Sequence, residues 1–248
     1  MALLVAAAAS CSYLPEEQEV PSVVTLYEYR DYIEINPTSN YYSKTGLVFY
    51  PGGLVDPHAY IAPLTKFAIA GKGHKIVIVK MPANLAILDG KQAAWIYNDF
   101  PDVEQWVIAG HSLGGVMACS VVEKYPDFFA GLVLMAAYPQ SSNNLKDWPG
   151  PVLSLRGQYD GLVDSLKISS FADLMPTPVW VNNLDDYPSG SSPKTVYFTL
   201  PGGNHGQFGN YGIQKGDGVA TITQDAQAEL VSSIILRFFI ENDLEYDK

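Results

Sequence analysis

The stretch Trp106-Val107-Ile108-Ala109-Gly110-His111-Ser112-Leu113-Gly114-Gly115 constrains this chain more than any other. Residues 106–109 are apolar and include the β-branched pair Val107-Ile108, so 105–109 reads as a buried strand. Beyond Gly110–Gly115, the residues Met117, Ala118, Val121, Val122 and Tyr125 recur at helical spacing. A chain that passes from strand to helix so abruptly must turn at the residue between them, here Ser112. Glycines two positions to either side let strand and helix approach without Cβ clashes. A serine at such a strained turn, the centre of a G-x-S-x-G pattern, exposes its hydroxyl at the end of the sheet. The helix start also places the Leu113 amide beside that oxygen, where it can stabilise an oxyanion. No other serine in the sequence has this setting. Ser112 is therefore the candidate nucleophile, with an ordinary strand-to-helix turn as the plain alternative.

The rest of the chain alternates in the same way. Residues 25–29 and 32–35 flank Arg30-Asp31 and predict an antiparallel pair opening a sheet. Residues 46–50 form a buried strand that runs into Pro51-Gly52-Gly53. Asp56 then supplies an N-cap and Pro57 a first-turn proline for a helix to about residue 70. Gly71-Lys72-Gly73 ends that helix and is no phosphate-binding loop, because Lys66 stands where a glycine is needed and no Ser or Thr follows Lys72. Further strands are predicted over 75–80, 132–135, 152–155 and 196–200, with helices over 89–100 and 224–240, the last capped by Thr223. The pattern is that of an α/β fold with a mostly parallel sheet and helices on both faces. There is no internal repeat and no linker, and 188–193 reads as a surface loop. One domain over 21–248 is expected, preceded by an N-terminal segment over 1–20.

Apolar residues are 48% of the 248 and charged residues 17%, enough for a large ordered core. Fifteen Lys and Arg against 26 Asp and Glu give a net charge of −11, which makes nucleic acid and other polyanions poor partners. The two cysteines, Cys11 and Cys119, are too few for a disulfide scaffold and lack metal-ligand spacing. Cys119 falls on the helix after Ser112 and reads as a core residue. Cys11 ends an alanine-rich run that resembles a bacterial lipoprotein signal, although no basic region precedes it. The plain reading is an N-terminal helix, so both a cytoplasmic and an exported protein fit. No stretch is long and apolar enough to span a bilayer.

A serine at such a turn calls for an acid and then a histidine later in the chain. His205 is the sole histidine beyond Ser112 and lies in the glycine-rich loop 201–209, directly after the strand 196–200. Loops at the C-terminal edge of a parallel sheet are where such folds collect their active-site groups. His205 is the candidate base, and a loop histidine bonded to backbone is the alternative. Asp160 lies at the first turn after the strand 152–155 and is the candidate acid; Asp164 is expected to cap the next helix and is the fallback. His111 adjoins Ser112, but neighbouring side chains diverge at such a turn, so it is expected to pack beside the site. A second oxyanion donor is expected from the loop after 46–50, from Gly53 or Leu54.

These residues resemble the α/β-hydrolase superfamily. The stretch from Gly46 to Asp89, the GHSLGG turn and the GGNHGQFGNYG loop are similar to a bacterial uncapped branch related to dienelactone hydrolases. Dienelactone hydrolases carry a cysteine and dehalogenases an aspartate where this chain has Ser112. The histidine-glycine pair common before the oxyanion loop is Pro51-Gly52 here. The short connection between the strands 132–135 and 152–155 leaves no room for a helical lid, which implies an open cleft and no cap domain. Tyr138, Trp148, Trp180, Tyr187, Phe208 and Tyr211 are candidates to line it, each with core packing as the alternative. The resemblance implies a serine esterase acting on small to medium esters, with no metal or organic cofactor, as a monomer or homodimer. Amide or thioester hydrolysis, acyl transfer and a non-catalytic binding role remain open on the same residues.

Overall fold

In the computed structural model, which describes residues 13–17, 21–39, 43–81, 99–190 and 194–245, the apolar runs form one nine-stranded sheet. Along the chain come β1 (Val24–Glu28), β2 (Tyr32–Pro37), β3 (Thr45–Tyr50), α1 (Ile61–Ala68), β4 (Ile76–Val79) and β5 (Gln105–His111). There follow α2 (Leu113–Lys124), β6 (Gly131–Met135), β7 (Val152–Gly157), α3 (Ser165–Ser170), β8 (Pro178–Val181), β9 (Thr195–Leu200) and α4 (Gln224–Glu241). The strand order is β1-β2-β4-β3-β5-β6-β7-β9-β8. β1 and β2 are antiparallel to their neighbours, and every pair from β4 to β8 is parallel.

β3, β4 and β6 are buried at every position, as strands covered on both faces must be. Leu47, Phe49, Ile76, Ile78 and Val107 point to one face, where Leu64 and Phe67 of α1 and Ile235 and Phe238 of α4 cover them. Val48, Val77, Ile108 and Leu132 point to the other, under Ala118, Cys119 and Val122 of α2. The chain leaves β3 for β4 on one side and then crosses to β5 on the other. That reversal opens a crevice at the C-terminal ends of β3 and β5, where ligands bind in open α/β sheets. It is also where the loop at Pro51 and the turn at Ser112 meet.

Two elements differ from the sequence reading. The expected helix over 57–70 is split into a 3-10 turn, Pro57–Tyr60, and α1, with the Asp56 carboxylate accepting from the His58 amide as the cap. β8 was not anticipated, because it is a short edge strand opened by a proline and exposes Trp180, so it carries no alternating apolar signal. The predicted helix over 89–100 lies outside the described residues except for its last two, and the run ending at Cys11 lies wholly outside them. Among the described residues no helix is long and apolar enough to cross a membrane.

Gly46 of β3 lies directly opposite Trp106 of β5, whose buried ring occupies the space a side chain at position 46 would need. A Cβ there would stand 2.5 Å from the indole. Gly46→Ala is expected to cost about 1–3 kcal/mol through overpacking, read as a lower thermal midpoint. An unchanged midpoint would show that this strand pair has slack that the packing denies.

Candidate active site

Ser112 caps α2 with φ 50° and ψ −122°, a conformation that L-residues rarely adopt. Its amide donates to the Met135 carbonyl at 2.9 Å, and its carbonyl accepts from Val116 at 3.1 Å. The turn closes this tightly because its glycines lack side chains. A Cβ at Gly114 would overlap the carbonyls of Tyr50 and Pro51, and one at Gly110 would stand 2.5 Å from the Gly114 backbone. Ser112 itself is half-buried at the crevice.

His205 follows β9 and is fully buried, and Asp160 follows β7. The Nδ1 of His205 lies 3.0 Å from Oδ2 and 3.2 Å from Oδ1 of Asp160. A carboxylate only accepts, so the ring proton sits on Nδ1 and the lone pair on Nε2. Oδ1 of Asp160 also accepts from the amides of Leu162, at 2.9 Å, and Val163, at 2.7 Å, which fixes the carboxylate plane. Nε2 of His205 has no hydrogen-bond partner among the described residues, so the Ser112 hydroxyl is not bonded to it in this conformation. Asp160 and His205 are thus brought together, and the contact to Ser112 is not made. Asp164 accepts from the Lys167 amide at 2.8 Å and caps α3.

His111 packs beside the site. Its ring centroid is 4.6 Å from that of His205 and 5.5 Å from that of Phe208. Its Nδ1 lies 2.8 Å from the Tyr60 hydroxyl, whose oxygen accepts from the Gly52 amide at 2.9 Å. With Gly52 donating, the phenol proton goes to His111, which is neutral with its own proton on Nε2. Burial, and next the charge that His205 acquires on protonation, hold the His111 pKa well below the ordinary 6.5. Burial also raises the Tyr60 phenol, so it stays protonated.

The Gly52 amide is thereby occupied, while those of Gly53, Leu54 and Leu113 make no hydrogen bond among the described residues. A Cβ at Gly53 would stand 3.0 Å from the Leu113 side chain, so the loop after β3 lies against the residue that follows Ser112. Leu54 carries φ 63°. Three amides therefore remain free on the two loops that meet at the crevice.

The aromatic residues separate. Phe208 and Tyr211 pack around His111. Trp148 is buried in the core layer under α2, with its indole donating to the Pro126 carbonyl. Tyr187 is buried in the opposite layer, Trp180 stacks on Tyr197 at the sheet edge, and Tyr138 stacks on Phe171. The sequence reading also passed over Tyr60 and Asp217. The Asp217 carboxylate accepts from the amides of Gly161, His205, Gly206 and Gly218. The single sequence trace of that role is a Gly-Asp-Gly turn.

A histidine kept neutral by burial makes stability depend on pH. The unfolded chain binds its proton near 6.5 and the folded chain well below, so His111 costs nothing above that value and destabilises progressively beneath it. The free energy of unfolding is expected to fall as pH drops below about 6.5, and to fall less steeply in His111→Gln. Equal slopes for the two proteins, measured by denaturant titration, would contradict the assignment.

The model of the alpha/beta hydrolase family matches residues 46–229. No curated protein matches the chain in sequence. Among solved structures, a hydrolase from Thermoplasma acidophilum described as CIB-like superposes with a TM-score of 0.56 at 14% identity, over 87% of this chain and 99% of its own. Est1E from Butyrivibrio proteoclasticus with ferulic acid bound gives 0.56 at 13% identity, over 89% and 96%. A malate-bound thermophilic esterase from Thermogutta terrifontis gives 0.58 at 13%, over 90% and 95%. At these identities the likeness is one of fold, and it does not single out the dienelactone hydrolases. The sheet order, the turn at Ser112 and a family match over most of the chain agree: this chain belongs to the alpha/beta hydrolase family.

Proposed function

We propose that the protein is a serine hydrolase that cleaves small to medium carboxylic esters through Ser112, His205 and Asp160. The observation that carries this reading is the buried Asp160–His205 pair, packed through His111 against the turn that holds Ser112 at φ 50°. Nε2 of His205 presents a lone pair with no other claim on it. The contact to Ser112 forms when substrate enters, since such bonds are often long in unliganded enzymes. Two of the structural neighbours are named as an esterase or as bound to ferulic acid, which supports this class of chemistry on the fold.

In this scheme His205 takes the Ser112 proton as the serine oxygen attacks the ester carbonyl. The resulting oxyanion receives hydrogen bonds from the Leu113 amide and from Gly53 or Leu54, the amides left free on the facing loops. Asp160 stabilises the imidazolium, which then protonates the departing alcohol. Water, activated by the same histidine, releases the acid and restores Ser112. The net charge of −11 disfavours polyanionic substrates and leaves neutral esters as the best match.

Steady-state and stopped-flow hydrolysis of p-nitrophenyl esters tests the proposal, with thioester and anilide analogues in parallel. An ester-selective enzyme with an acyl-enzyme burst is expected. Ser112→Ala and His205→Ala should lose about 10⁶-fold in kcat and Asp160→Ala about 10⁴-fold. The wild-type rate should decline from about pH 8 to about pH 5, where histidines take up protons. A flat profile, or full activity in Ser112→Ala, would contradict the scheme.

A further inference from the structure

Beyond the three residues of the proposed mechanism, a second aspartate joins the loops that carry two of them. Oδ1 of Asp217 accepts from the amides of Gly161 at 3.1 Å, His205 at 3.2 Å and Gly218 at 2.8 Å. Its Oδ2 accepts from Gly206 at 2.7 Å. Gly161 follows Asp160 directly, and His205 and Gly206 are the base and its successor. One carboxylate therefore holds the backbone beside the acid and the backbone of the base at once. Charge-assisted hydrogen bonds of this kind are shorter and stronger than neutral ones.

The surrounding glycines are shaped to admit it. A Cβ at Gly161 would stand 2.5 Å from the Gly216 carbonyl and 2.9 Å from the Gly218 amide, and one at Gly218 would overlap the Tyr159 carbonyl. The other ties between these loops lie upstream of the reacting pair. Among the described residues they are the Gln158 amide to the Leu200 carbonyl at 2.9 Å, the Tyr159 amide to the Gly203 carbonyl at 2.8 Å, and the Gly202 amide to Oε1 of Gln158 at 2.9 Å. Past Asp160 and His205, the loops are joined through Asp217.

We propose that Asp217 is a positioning residue, which sets the separation and orientation of Asp160 and His205 and places a second carboxylate against the backbone of His205. This inference rests on the reading of the protein as a serine hydrolase. It assigns Asp217 no contact with substrate. The titratable groups around His205 are Asp160 from the turn after β7, His111 from the end of β5, and Asp217 and Tyr211 from its own loop. Burial keeps His111 and Tyr211 neutral.

The test compares wild type, Asp217→Ala, Asp217→Asn and Ser112→Ala as full chains in one p-nitrophenyl ester assay across pH, each below its own melting temperature. Asp217→Ala should lose about 100-fold in kcat, the penalty of a misplaced catalytic group, with KM within about twofold. The acid limb of kcat/KM should move to lower pH in both Asp217 variants, because removing a negative charge makes His205 harder to protonate. A purely structural role would lower the melting temperature and leave that limb in place. If Asp217→Ala does not fold, the near-isosteric Asp217→Asn decides alone: an unshifted acid limb with wild-type kcat overturns the proposal. An inactive wild type, or an active Ser112→Ala, overturns both this proposal and the hydrolase reading. Loss in Ser112→Ala with wild-type behaviour in both Asp217 variants overturns this one only.

Discussion

The close approach of β3, β5 and the start of α2 is the constraint on which the site depends. Gly114 passes against the carbonyls of Tyr50 and Pro51, and Gly110 passes against Gly114 and Gly115, with no space for a single methyl. That packing leaves Ser112 no option but a positive φ, and the surrounding core holds it there. The same approach brings the Gly53–Leu54 segment against Leu113. A half-buried serine at the crevice and three amides unengaged among the described residues therefore come from one packing event, located where the strand order reverses.

A second set of restraints surrounds the histidine. Asp160 is held by two amides of its own turn and grips Nδ1 of His205. Asp217 grips the backbone on both sides of that pair. Tyr60 joins the Gly52 amide to His111, whose ring lies against His205. The loops after β3, β5, β7 and β9 are thus linked by buried and half-buried polar groups rather than by apolar contact alone. Such networks specify one arrangement when every member is satisfied. The unpartnered Nε2 of His205 and of His111 are its exceptions, and both lie at the proposed reaction centre.

Much of this was legible in the sequence because strand and helix periodicity, glycine spacing and chain order are local signals. The run 105–109 followed by Gly110–Gly115 specified β5, the turn and α2 without reference to anything distant. The order of Asp160 and His205 after it put them on neighbouring loops, and the two meet. What escaped depends on tertiary register. Tyr60 reaches Gly52 and His111 only once its short 3-10 turn has packed over β3. Asp217 looks like a turn residue until the loops after β7 and β9 close upon it. β8 draws its place from pairing with β9 and not from its own pattern, and Trp148 was drawn into the core by the packing of α2. Aromatic residues spread along a sequence do not reveal which face receives them.

The central claim is that the packing at Ser112 produces an activated nucleophile. Intact-protein mass spectrometry after incubation with a fluorophosphonate, followed by peptide mapping, tests it most directly. The account predicts one adduct on wild type, mapped to Ser112, and none on Ser112→Ala. A folded wild type that takes no label, or a label on any other residue, would contradict it.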